Sequence, residues 1–266
     1  PEIPVVNPPE PPKPYVFPPK SLLSKASGDE EGISDEELHE TARKLQETLE
    51  IIRDEMPLAI WESFYMTVIA TAAAIAIGLP LGVILVTGEK DGIMPIPTIL
   101  YKGINAVINL LRSVPFLILI IMVTPITRFI VDTVVGTGAS VVPLVVASFP
   151  FVARLVETSI REVDSNVIEA AVSMGATPMQ IVRRVLIPES LPSLISNFTI
   201  AITTILGYSA MSAILGGGGL GKIAINYGYY RRKTLVMVVA VALIVLMVQL
   251  FQTIGSKLAA KFDKRL

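Results

Sequence analysis

Four long stretches of this 266-residue chain carry no formally charged side chain. Ser63–Gly88 gives 26 uncharged residues. At about 1.5 Å per helical residue they reach roughly 39 Å, enough to cross a hydrocarbon core of about 30 Å with some tilt. Thr133–Ala153, Ser190–Gly221 and Thr234–Ser256 repeat the pattern. A fifth apolar stretch, Ile104–Ile130, is punctuated by Arg112 and Arg128. A buried soluble core would need charged outer faces, which these runs lack. The pattern predicts an all-α, polytopic membrane protein with five transmembrane helices, at about 60–87, 104–130, 138–160, 192–215 and 234–255.

The first 55 residues follow a different rule. Nine of the first twenty are proline, a density that removes backbone donors and favours an extended tail. The segment lacks the basic start and apolar run of a signal peptide. Over 34–55 an amphipathic acidic helix is expected. Ser34 caps it, Glu37 completes a capping box, and Leu38, Ala42, Leu45, Leu49 and Ile52 recur at helical spacing. The expected domains are a proline-rich tail and linker (1–33), the amphipathic helix (34–55) and a transmembrane domain (56–266).

Composition narrows the function. The chain is 52% hydrophobic and only 17% charged, against about 25% charged in ordinary soluble domains. The net charge of −1 hides 13 acidic and 6 basic residues before position 56, and 10 acidic and 16 basic after it. With no cysteine and His39 as the sole histidine, thiolate sites, histidine-rich metal sites and a Ser-His hydrolase in the membrane part are excluded. Orientation follows from Lys and Arg in the connections. With the C-terminus cytoplasmic, the inside segments carry ten basic residues and the outside eight, which places the N-terminal tail outside.

The connection at 161–190 reads as two short helices broken at a glycine. Asn166 caps the first with Glu169 reaching back, Gly175 suits a left-handed C-terminal cap, and Thr177, Pro178 and Gln180 open the second, which Pro188 ends. Arg112 reads either as an interfacial arginine near the start of span two or as a group facing the bundle interior at a break made by Ser113-Val114-Pro115, where it would suit an anionic ligand. Tyr208, Ser209 and Met211 offer a small polar and thioether surface inside an apolar span, with ordinary helix packing as the alternative. Gly216-Gly-Gly-Gly-Leu-Gly-Lys222 nearly writes a phosphate loop. Ile223 stands where a magnesium-binding Ser or Thr is needed and no strand precedes it, so a flexible loop of tight turns is expected.

Glu169-Ala170-Ala171, Gly175 and the ending Val185-Leu186-Ile187-Pro188 have the spacing of the "EAA" loop and so resemble ABC-importer permeases. Leu111–Phe116, Pro143–Glu157, Met174–Arg183, Gly207–Met211, Gly218–Gly221 and Tyr227–Tyr229 are similar to the methionine-importer branch, and the likeness runs from about residue 57 to the end. Stretches within about 14–52 also resemble a segment of bacterial DNA translocases, but they include no chemistry and no ATPase core follows. The importer resemblance implies the type I permease fold in the bacterial inner membrane. It implies a homodimer with two ATP-binding cassette subunits on the cytoplasmic side, a substrate-binding protein outside and no nucleic-acid partner. ATP and magnesium would be bound by the partner subunit, leaving this chain no cofactor and no enzymatic activity. Glu169, Ala170, Ala171, Gly175 and Pro188 would serve ATPase coupling. Arg112, Ser113, Pro115, Tyr208, Ser209 and Met211 would line the pathway. The rival readings are an ion-gradient-driven secondary transporter, disfavoured by spans without Asp or Glu, and a non-transporting membrane anchor.

Overall fold

The computed structural model describes residues 35–263; the proline-rich tail, the Ser34 cap, Lys264 and Arg265 lie outside them. Every described element is helical. Among the described residues the chain divides between Leu45 and Gln46 into two units. Helix α1 (Asp35–Asp54) begins in the first, where Leu38 and Leu45 are exposed. In the second unit, Ile51 and Ile52 near the end of α1 pack against a cluster formed by Met56, Leu206, Leu220, Val236 and Phe251.

Helix α2 (Met56–Thr87) starts with Pro57 in its first turn, where no backbone donor is needed, and ends as Gly88 N–H donates to Ile84 O. Its partner is α5 (Thr137–Arg161). In lipid, apolar burial gives helices little reason to associate, so close backbone approach through small residues takes over. Gly78 and Gly82, one turn apart on α2, supply it. A Cβ at Gly78 would lie 2.8 Å from Val152 Cγ1, and one at Gly82 2.6 Å from Ala153 O. Met66, Leu144, Val152, Val156, Leu194 and Ile205 fill the core around this seam.

The expected second span is not one straight helix. Helices α3 (Thr98–Ser113) and α4 (Phe116–Val131) meet at 117°. Proline at 115 drives the preceding residue out of helical space, and Val114 (φ −81°, ψ 127°) and Pro115 (ψ 138°) are both extended. Four helices are individually long and apolar enough to cross a membrane, and the bent pair makes five when taken as one broken span.

After α5 come α6 (Ser165–Ser173) and α7 (Pro178–Ile181), a π turn (Val182–Leu186), and α8 (Ile187–Ser212). Pro188 does not end a helix, contrary to the sequence expectation. In the π turn Ile187 N–H reaches back to Val182 O, so the ladder changes register where Pro188 has no N–H to donate, and the helix runs on. After α8 come a 3-10 turn (Ala213–Leu215), α9 (Gly219–Ile223), a π-helix (Ala224–Tyr230) and α10 (Thr234–Phe262).

Candidate functional site

The loop between α5 and α8 is built by its caps. Asp164, not Asn166, is the N-cap of α6; its carboxylate accepts from Asn166 N at 2.9 Å. This moves the helix start back by two residues, so Glu169 no longer falls at the capping-box position and stands exposed on α6. At the other end Gly175 has φ +77°, its N–H donates to Val172 O at 2.9 Å, and Ala176 N–H reaches Ala171 O at 3.1 Å. These two bonds complete a Schellman motif, which needs a left-handed residue at that point. No atom lies within 4 Å of where a Gly175 Cβ would sit, so the demand on this position is purely conformational. Thr177 and Gln180 form the expected capping box, with Thr177 N–H donating to Gln180 Oε1 at 2.9 Å.

Of the two alanines, only Ala170 is exposed. Ala171 is buried at 4% exposure and packs with Ile181, Val182 and Leu186, which seats α6 on the start of the α8 helix. Its small size serves this chain's own packing. The outward face of the loop carries Glu169, Ala170, Met174 and Met179, with Met174 81% exposed.

The bend between α3 and α4 forms the second part of the site. A cavity of about 230 Å³ is lined by Leu111, Arg112, Phe116, Ala147, Phe151 and Tyr208, among others. Drug-sized ligands occupy roughly 300–1,000 Å³, so this space suits a smaller molecule. Tyr208 stacks on Phe116 with ring centroids 4.5 Å apart and planes 6° apart, which fixes the wall. Arg112 and Tyr208 are thus brought together. Ser113 and Pro115 shape the bend instead of lining the space, and Ser113 Oγ donates to Asn109 O at 2.8 Å. Ser209 is buried at 1% exposure and donates to Leu206 O, and Met211 is exposed; neither lines the cavity.

Three features had no clear sign in the sequence. Gly216–Gly221 is not a loose loop, since residues 217–221 are buried. Glu62 Oε2 accepts from Gly219 N–H at 2.7 Å, Glu62 Oε1 from Thr137 Oγ1 at 2.9 Å, and Ser63 Oγ from Leu220 N–H at 2.8 Å. Arg154 on α5 bridges to α3, donating to Glu157 Oε2 at 2.5 Å, to Asn109 Oδ1 at 2.7 Å and to Asn105 Oδ1. Glu157 also accepts from Arg161 Nη2 at 3.1 Å, and Arg161 pairs with Glu89, which Tyr101 OH also contacts. The hydrogen bond from Arg161 holds the Glu89 carboxyl below its ordinary value, with a smaller contribution from Tyr101 and against the opposing effect of burial. The helical spacing of Asn105 with Asn109, and of Arg154, Glu157 and Arg161, was the available signal. Pairing across two helices was not readable from it.

The chain is similar to the probable D-methionine transport system permease protein MetI of Vibrio cholerae serotype O1, 46% identical over 213 residues covering 80% of this chain and 94% of the relative. The corresponding protein of Pasteurella multocida (strain Pm70) is 45% identical over 208 residues, covering 78% and 95%. Among solved structures, the MetNI methionine ABC transporter in inward-facing conformations superposes with a TM-score of 0.75 at 42% identity, covering 77% of this chain and 95% of that one. Residues 78–266 match the family described as binding-protein-dependent transport system inner membrane component, and the chain belongs to that family.

Proposed function

We propose that this chain is the permease subunit of an ATP-driven importer that carries methionine across the bacterial inner membrane. The observation that carries the reading is the exposed, doubly capped α6–Gly175–α7 element. It is a rigid projection seated on the membrane helices by Ala171 and Ile181 and carrying the Glu169-Ala170 surface outward. The methionine assignment rests on the relatives named above. Two copies of the chain form the pathway, two ATPase subunits dock on the projecting loops, and a substrate-binding protein delivers the amino acid from outside. The N-terminus faces outward and the C-terminus the cytoplasm, with the bent pair α3–α4 counted as one span.

Glu169, Ala170 and Gly175 present the loop to the ATPase subunit, and Ala171 and Pro188 act within the chain. When ATP closes the ATPase subunits, the docked loops move together and favour the outward-open form. The drive is the difference in partner binding between the two forms. In the pathway, Arg112 offers a cation to the substrate carboxylate beside the apolar Tyr208–Phe116 wall, which suits a thioether side chain.

Reconstitution of the chain with its ATPase and substrate-binding subunits in liposomes tests this reading. ATP-dependent, binding-protein-dependent methionine uptake is expected, with no uptake under an ion gradient alone. Uptake driven by an ion gradient without ATP overturns the reading in favour of a secondary transporter.

A further inference from the structure

The polar seam between α3 and α5 connects the two parts of the candidate site. Arg161 is the last residue of α5, just before Asp164 caps the projecting helix α6. From it the contacts run through Glu157 to Arg154, and from Arg154 across to Asn105 and Asn109 of α3. Asn105, Asn109 and Arg112 stand at i, i+4 and i+7, so they share one face of α3. Arg112 itself borders the cavity, and Phe151, one turn before Arg154 on α5, lines its other side.

The centre of this chain of bonds is shielded from water, with Arg154 19% and Glu157 13% exposed, whereas Arg161 and Asn109 at its two ends are exposed. Arg154 Nε is buried with no hydrogen-bond partner among the described residues. The structure accepts that orphaned donor while the two terminal nitrogens reach both helices. A planar guanidinium can bridge several acceptors in fixed directions, which a lysine ammonium cannot do equally well. The remaining α3–α5 contact is apolar, as with Ile108 on Ala153, and apolar surfaces impose little register along the helix axis. Directional bonds impose it.

We infer that Arg154 is a positioning residue for transport: through Asn105 and Asn109 it carries displacement of the coupling loop to the α3–α4 bend and the Arg112 cavity. The inference rests on the import reading above, because it needs a loop moved by an ATPase partner. Coupling through such packed networks shifts by roughly 2- to 30-fold when a member is altered.

The test uses the full complex in liposomes and compares wild type with the double variant Asn105→Ala/Asn109→Ala. This variant removes the α3 end of the tie and leaves the Arg154–Glu157 pair in place, so no buried charge loses its counter-ion. Expected are wild-type assembly, thermal stability and basal ATPase activity, with methionine imported per ATP falling on the order of tenfold. Asn105→Ala/Asn109→Asp, which restores an acceptor for Arg154, should recover most of that ratio. An unchanged ratio in the double-alanine variant overturns the inference. So does a parallel loss of thermal stability and basal ATPase activity, which would make the tie structural only. If wild type shows no ATP-driven uptake at all, the import reading fails, and this one with it.

Discussion

At Gly175 one dihedral angle decides where a whole helix points. A φ of +77° is open to glycine and costs an L-residue with a β-carbon about 1–2 kcal/mol. Space is available at the position, so Gly175→Val fails through conformation alone. Membrane insertion and expression should survive while coupled uptake is lost. Gly175→Asn, which tolerates the left-handed region, should keep most of it. Uptake assays with quantified membrane levels check both, and normal transport by the valine variant would overturn the role of the turn. Glu89 offers a second test. Its folded carboxyl titrates below the usual value of about 4.3 because Arg161 donates to it. The stabilisation is therefore fully present above the ordinary carboxylate range and lost as pH falls through the lowered value. In detergent the melting difference between wild type and Glu89→Gln should be constant above about pH 5 and close as pH drops below about 4. A gap that widens on acidification would contradict the pairing.

Helices show where periodicity informs and where it stops. The uncharged runs predicted the long helices because a bilayer requires an unbroken apolar stretch, and α2, α5, α8 and α10 meet that requirement. The same rule failed at α3–α4, where hydropathy continues across Val114-Pro115 while the backbone turns by 117°. Local chemistry does announce that break, since proline constrains the residue before it. Its angle is set by packing against α5 and α8. Capping was misplaced at α6 for a related reason. Asp164 and Asn166 are both good caps, and the fold uses Asp164. At the α2–α5 seam even one added carbon is too many. Gly82→Ala should destabilise the protein by about 1–3 kcal/mol through overpacking against Ala153 and Val156. Thermal unfolding in detergent measures this, and an unaltered midpoint would show that the seam can open freely.

Across the whole molecule, the polar N-terminal segment divides differently from its sequence pattern. A deletion of residues 2–52 looks harmless by composition, because every residue removed lies before the first apolar run. Ile51 and Ile52, however, pack against the Met56–Leu220–Phe251 cluster, and Lys233 Nζ pairs with Glu47 at 3.0 Å. Deleting residues 2–44 should leave transport and stability near wild type, whereas deleting 2–52 should lower thermal stability. Equal stability of the two truncations would show that the end of α1 contributes nothing. The sequence by itself determined that the chain is helical, that it lives in a membrane, and where the turn at Gly175 falls. Each of these follows from properties of neighbouring residues: uninterrupted apolarity, proline and glycine geometry, and caps within a few positions. Only the tertiary structure decided that Glu62 holds the glycine segment through Gly219 N–H, that Arg154 joins two helices, and that Tyr208 faces the Arg112 cavity while Ser209 turns away. These contacts pair residues up to 157 positions apart. A polar side chain in an apolar run announces that it needs a partner, but packing of the helices decides which one it meets.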